Sequence, residues 1–449
     1  MDRARLTKIR DDRDIPVLRA HAWDIFAGLT DGFELPEPIW ETWYTKCDVG
    51  LVRLASDDCK RLDSGNKSGR ARVLSSLDLS VQDLLAFQQS LKSANTNAFG
   101  KFAVPIQDLS AFMVKESKHP QFASVLFNFE AAEHIVTEKL SDRNALDAIY
   151  ETRVAQRSSK KQGEIDPFPS RAVAIKLVWA LVHDNGGIPP VLFIPNQKNL
   201  DTVRAMGADQ AISAPQDWGA SVTIDTLSNR SCGEEGDSAM GSDPKLPVPL
   251  DCFYSYKFNS DEEAREFPSD LAVQFGHQTI QPGHTFLLLV GVHVVTKETP
   301  DWVWATFWWQ PGLSDAPPSV KGGKWRHFQM DTTLSDVTPL EPPKDNRPKI
   351  CFNPYLEAQF PNGIVSNCVE CHERAVYAPQ NQGSKTAEGI NLGLPWRDGT
   401  PAVGQPLNDK YYDDALKTDF LWSIPNSQNS LLTDFSIQMK TLIREHRDR

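Results

Sequence analysis

The chain has 449 residues, 40 % of them hydrophobic and 24 % charged, enough for two or three domains with packed cores. A formal net charge of −12 argues against nucleic acid or an anionic membrane surface as partner and favours a basic one. The longest apolar run, Phe286–Val295, is far short of a bilayer span, so no transmembrane segment is expected.

Met1–Ala20 is charged throughout and lacks the apolar stretch of a secretory signal. The first 165 residues read as mainly helical. Ser80-Val81-Gln82-Asp83 has the form of a capping box ahead of Leu84, Leu85, Phe87 and Leu91. Phe127–Leu140 places Phe129, Ile135 and Val136 at helical spacing. His21, Trp23, Trp40, Trp43 and Tyr44 form an aromatic group to which no chemistry attaches. Ser158–Glu164 reads as a polar linker. Arg171–His183 is strongly apolar and is expected to be a buried helix.

From about residue 190 the texture becomes β-rich. Val191–Ile194 and Ser221–Ile224 are short strand candidates, and Ser228–Pro247 is a Gly/Ser/Asp/Pro-rich loop. Thr285–Thr296 and Trp302–Trp309 read as two long strands joined by a five-residue loop, a hairpin. Gln310–Gly323 is a Pro/Gly loop, and the Pro-rich connector Thr338–Pro348 marks a boundary. Leu431–Ile443 is amphipathic. No internal repeat is visible.

Beyond that boundary lies Cys368-Val369-Glu370-Cys371-His372, the C-x-x-C-H attachment signature of a c-type haem. The two thiols form thioethers with the vinyl groups, and the adjacent imidazole ligates the iron. With 7 Cys and 10 His in the chain, roughly 0.002 such motifs are expected by chance. Asn367 before the motif and Glu370 within it read as an N-cap and an acidic third residue, so the motif opens a short helix that ends before Pro379. The competing chemistry is a structural zinc site in which Cys368 and Cys371 are joined by Cys351 or His372. Against it, the chain has no second C-x-x-C or H-x-x-x-H half.

Five cysteines remain. Cys47–Cys59 and Cys232–Cys252 are the pairings near in sequence, with Cys351 left over, and unpaired buried thiols are the alternative. For a sixth iron ligand the candidates are His293, inside an otherwise apolar strand, and Met439, the only methionine after the motif; His327 and Met330 are weaker. A core histidine bonded to a carbonyl is the structural alternative for His293, and a packed helix residue for Met439. His284, beside a Pro-Gly turn, is expected to be exposed. Trp302, Trp304, Trp308 and Trp309 alternate along one strand and either wall a haem pocket or fill a core.

The stretches VLFNFEAAEHI at 125–135, FPSRAVAIKLVWALV at 168–182, VGVHVVTKETPDWVWATFWW at 290–309, FNPYLEAQFPNGIVSNCVECHERAVY at 352–377 and TDFLWSIP at 418–425 resemble bacterial cytochrome c family proteins of unassigned role. The resemblance implies one covalent haem c held by Cys368 and Cys371, with His372 as axial ligand, in an exported, periplasmic protein. The charged N-terminus departs from that pattern. The expected fold is α+β: a helical N-terminal part over 1–165, a central antiparallel β-rich region over 166–340, and a cytochrome c-like haem segment over 341–449. The expected function is one-electron transfer to a basic redox partner protein. A haem enzyme of peroxidase or oxidoreductase type with an open distal site and a zinc-stapled binding protein are the alternatives.

Overall fold

The computed structural model describes residues 3–12, 14–30, 38–46, 48–51, 121–155, 162–185, 188–196, 218–227, 230–232, 247–261, 280–312, 316–320, 323–334, 351, 353–356, 367–379 and 409–425. The capping box at 80–83, Cys47, Cys59, the connector at 338–348 and Met439 lie outside them.

The centre of the protein is an antiparallel sheet. Its strands run in the order β1 (Tyr44–Thr45), β2 (Gln121–Phe127), β4 (Val173–His183), β9 (Thr285–Thr296), β10 (Val303–Trp309) and β11 (Phe328–Thr333), with β8 (Ser255–Lys257) also pairing β9. The expected buried helix at 171–183 is instead β4, the strand between β2 and β9. A short apolar run fits either element by periodicity, and its valines and isoleucine favour the pleated surface. Burial on both faces explains why the run does not alternate. β9 and β10 form the expected hairpin, with Thr306 opposite His293. Two smaller sheets stand apart: β5 (Val191–Ile194), β6 (Ala220–Asp225) and β7 (Val248–Pro249); and β12 (Val376–Tyr377), β13 (Ala415–Lys417) and β3 (Gln162–Glu164).

Five α-helices accompany the sheets among the described residues. They are α1 (Arg3–Asp12), α2 (Ile15–Thr30), α3 (Phe129–Thr137), α4 (Arg143–Tyr150) and α5 (Cys368–His372). The expected fold class is therefore corrected: the protein is mostly β. Residues 1–165 are not a helical part, because they supply β1, β2 and β3 to two sheets. Nor is 341–449 a cytochrome c fold, since its described residues hold one five-residue helix and two short strands.

Two buried clusters pack on the main sheet. In the larger, α2 packs Phe26 on Phe307 with ring centroids 4.3 Å apart, amid Ile175, Leu177, Val292 and Val294. Trp23 and Trp40 join this core, so the N-terminal aromatic group fills space. In the other, α3, α4 and the C-terminal residues Val369, Tyr377, Leu416, Leu421 and Ile424 cover Ala174, Val295 and Trp304. Asn128 ties this layer down. Its side-chain oxygen caps α3 at Ala131 (3.1 Å) and also accepts from the Val173 amide of β4 (2.9 Å).

Candidate functional site

The C-x-x-C-H sequence forms α5, and Asn367 caps it as its residue type demands: Oδ1 accepts from the Glu370 amide at 3.0 Å. The Glu370 carboxylate turns along the helix to Arg374 at 3.1 Å, and both side chains are essentially fully buried. Tyr411 donates to the Arg374 carbonyl at 2.8 Å, which binds the helix end to the neighbouring 3-10 turn Asp409–Tyr412. Cys371 follows Cys368 by one turn; its side chain lies outside the described residues.

His372 is held from two sides. Its Nδ1 lies 2.8 Å from the Phe420 carbonyl oxygen, so Nδ1–H is the donor and the imidazole lone pair sits on Nε2. The ring packs on Trp304, centroids 4.4 Å apart. Burial lowers the His372 pKa to about 4, with the hydrogen bond to Phe420 opposing and Lys176 adding to the effect. The imidazole is therefore neutral near pH 7, as a metal ligand must be.

The acceptor itself stands on a constrained turn. Asp419 and Phe420 are consecutive non-glycine residues with φ of 48° and 67°. Such backbone persists only where surrounding contacts over-determine it. Asp419 supplies those contacts: its carboxylate accepts from the Phe168 amide (2.8 Å) and from the Lys297 ammonium, and the Trp302 indole donates to its carbonyl (3.1 Å). Trp302, at φ 61°, is itself in the left-handed region. Phe168 and the β9–β10 loop, both distant in the chain, thus hold the turn whose carbonyl orients His372.

Cys351, the leftover cysteine, lies beside the motif, with its Sγ 3.8 Å from Cys368 Sγ; neither is in a disulfide. Asn353 fixes this segment on the sheet. Its amide donates to Thr306 Oγ1 (3.0 Å) and to the Phe307 carbonyl (2.9 Å). Gly291 makes the approach possible, because a Cβ there would stand 3.0 Å from Asn353 Nδ2 and 3.1 Å from Val178 Cβ. Tyr355 adds a bond to the Trp309 carbonyl at 3.1 Å.

His293 shares a row with Lys176 on β4 and Thr306 on β10, on the face covered by the C-terminal layer. Burial lowers its pKa well below 6.5, and the charges of Lys176 and His372 push the same way. The structure therefore brings His293 towards His372. The other candidates lie elsewhere. Met330 is buried in the larger cluster, and His327 stands against the Cys232–Cys252 disulfide. His284 is exposed, as expected, with Asp184 3.9 Å away. The tryptophans divide: Trp302 and Trp304 serve the His372 surroundings, while Trp308 and Trp309, on alternate faces of β10, belong to the larger buried cluster.

Sequence reasoning missed Lys176, Asp419, the Phe420 carbonyl and the place of Cys351. The lysine inside an apolar strand was a visible signal. A backbone carbonyl 48 residues from its donor leaves none.

Comparisons of this chain with protein-family models, with curated proteins and with solved structures find no match.

Proposed function

We propose that the protein is a monohaem c-type cytochrome that transfers single electrons, with the haem attached through Cys368 and Cys371 and ligated by His372. The observation that carries this reading is the hydrogen bond from His372 Nδ1 to the Phe420 carbonyl. Metal-ligating histidines donate their second ring nitrogen to such an acceptor, which fixes the tautomer and raises the basicity of the ligating nitrogen. The capped helix and the neutral imidazole also fit the group. A bound haem c supplies an Fe(III)/Fe(II) couple, and axial ligation and burial set its potential. Trp304 shields the imidazole from solvent, and the Asp419 network holds Phe420 in place. The acidic net charge suits docking to a basic redox partner by charge complementarity. Maturation of haem c places the working protein outside the cytoplasm, in the periplasm.

A second reading has its own observation. Cys351 beside Cys368 supplies the extra thiol that a zinc staple of Cys351, Cys368, Cys371 and His372 needs. One experiment separates the two. The chain is exported in a host that matures c-type cytochromes, and a denaturing gel is stained for haem beside a Cys368→Ala/Cys371→Ala control. Haem that survives denaturation and is lost in the control is the expected result, with a sharp α band in the reduced spectrum. Folded, exported protein carrying one zinc and no Soret band would replace the haem reading with zinc.

A further inference from the structure

We propose that Cys232, Cys252 and His327 form a second, redox-gated metal site: a disulfide when oxidised, and a thiolate–imidazole site for a zinc-like divalent cation when reduced. Among the described residues, these three form the group whose ligand atoms lie close together, all within 4.8 Å of one another. The cysteines are joined as a disulfide, with Cα atoms 4.8 Å apart. His327 Nε2 lies 3.1 Å from Cys232 Sγ, and its Nδ1 lies 2.9 Å from the Gly312 carbonyl. With Nδ1–H donating to that carbonyl, the Nε2 lone pair points at the sulfur. A thiolate-bound metal ion is a stronger partner for that nitrogen than a disulfide sulfur.

The site is also held together by contacts that do not depend on the S–S bond. Gly323, in the 3-10 turn Gly323–His327, meets the backbone of Cys232 so closely that a Cβ there would lie 2.6 Å from the Cys232 carbonyl oxygen. The Cys232 amide donates to Asp251 Oδ2 at 3.1 Å. On the other side, the Trp309 indole donates to the Cys252 carbonyl at 2.9 Å, and Phe253 stacks on Trp309 with centroids 4.1 Å apart. Opening the disulfide therefore leaves all three ligands in place. Cys252 and His327 are buried while Cys232 is partly exposed, so a metal and its reductant enter from the Cys232 side. Two sulfurs and one nitrogen are the donor set of a tetrahedral zinc site with its fourth position open to water or a substrate.

The chemistry balances. A dithiol reductant gives two electrons and two protons, becomes a disulfide, and leaves Cys232 and Cys252 as thiols. Binding of one Zn²⁺ then displaces the two thiol protons. A disulfide oxidant reverses the sequence and expels the metal. This site shares no residue with α5 and its cysteines pack with the larger buried cluster, so it does not depend on the haem reading.

The test uses the full chain carrying Cys351→Ser, Cys368→Ser and Cys371→Ser, so that the motif thiols cannot contribute. Co²⁺ is titrated into oxidised protein and into protein reduced anaerobically with a phosphine. Reduced protein is expected to bind one Co²⁺ with a thiolate-to-cobalt charge-transfer band, and oxidised protein none. Adding Cys252→Ser should abolish the band, and His327→Gln should weaken binding at least tenfold and shift the visible cobalt bands. Zn²⁺ should displace the cobalt. The proposal is overturned if reduced protein binds no cobalt, if reduction unfolds it by near-UV circular dichroism, or if both added variants leave affinity and spectrum unchanged.

Discussion

Asp419→Asn tests whether the turn that orients His372 is held by charge. The Asp419 and Lys297 side chains are 10 % and 6 % exposed and in direct contact. Removing one member of a buried pair leaves an uncompensated charge, at a cost of ~3–5 kcal/mol. Lys297 keeps one acceptor, the Pro300 carbonyl at 2.6 Å, and asparagine retains an oxygen for the Phe168 amide. Those two contacts place the expected loss at the low end, ~3 kcal/mol. Adding Lys297→Met removes the orphaned ammonium and should recover most of the loss, giving a coupling energy of ~2 kcal/mol across the double-mutant cycle. Urea unfolding followed by tryptophan fluorescence reads all four proteins. In haem-loaded protein, the single variant should also perturb the low-spin spectrum, because Phe420 loses its anchor. A loss below ~1 kcal/mol, or a double variant no more stable than the single, would refute the claim that this ion pair holds the turn.

Three further outcomes are expected. Burial raises the Glu298 pKa, but hydrogen bonds from His21 (2.9 Å) and Thr296 (2.7 Å) outweigh it and bring the carboxyl from 4.5 to about 2. A depressed folded-state pKa means that this stabilisation is complete above pH 4.5 and is lost as pH falls towards 2, and solvent screening of the partly exposed pair holds it to ~1–2 kcal/mol. Acid titration of unfolding should show that slope in the parent and a shallower one in Glu298→Gln. Gly291→Val drives side-chain atoms into Asn353 and Val178, so a destabilisation of ~1–3 kcal/mol and a lower yield of haem-stained protein are expected. Cys351→Ser should raise haem incorporation when the apoprotein is oxidised before attachment, because Cys351 and Cys368 are placed to trap each other; equal incorporation with and without Cys351 would count against that trap.

The local features of this chain were legible without a structure. Asn367 caps the motif helix, and the β9–β10 hairpin follows from two β-rich runs across a short loop, because each depends on residues a few positions apart. The Cys232–Cys252 pair was one of two near-sequence pairings, and loop closure over 20 residues is inexpensive. What failed was the fold class. The apolar run at 173–183 carries no period that distinguishes a buried strand from a buried helix, and only its neighbours β2 and β9 decide the matter.

The surroundings of His372 divide in the same way. The amino-acid sequence determined the identity and spacing of Cys368, Cys371 and His372, on which the proposed haem chemistry rests. Tertiary structure alone decided that Cys351 lies against Cys368, that Trp304 covers the imidazole, and that the Phe420 carbonyl, next to the Asp419 held by Lys297 and Trp302, accepts the His372 Nδ1–H hydrogen bond. Those contacts join residues separated by as much as 122 positions, and they form only because burying both faces of one sheet brings distant segments of the chain together.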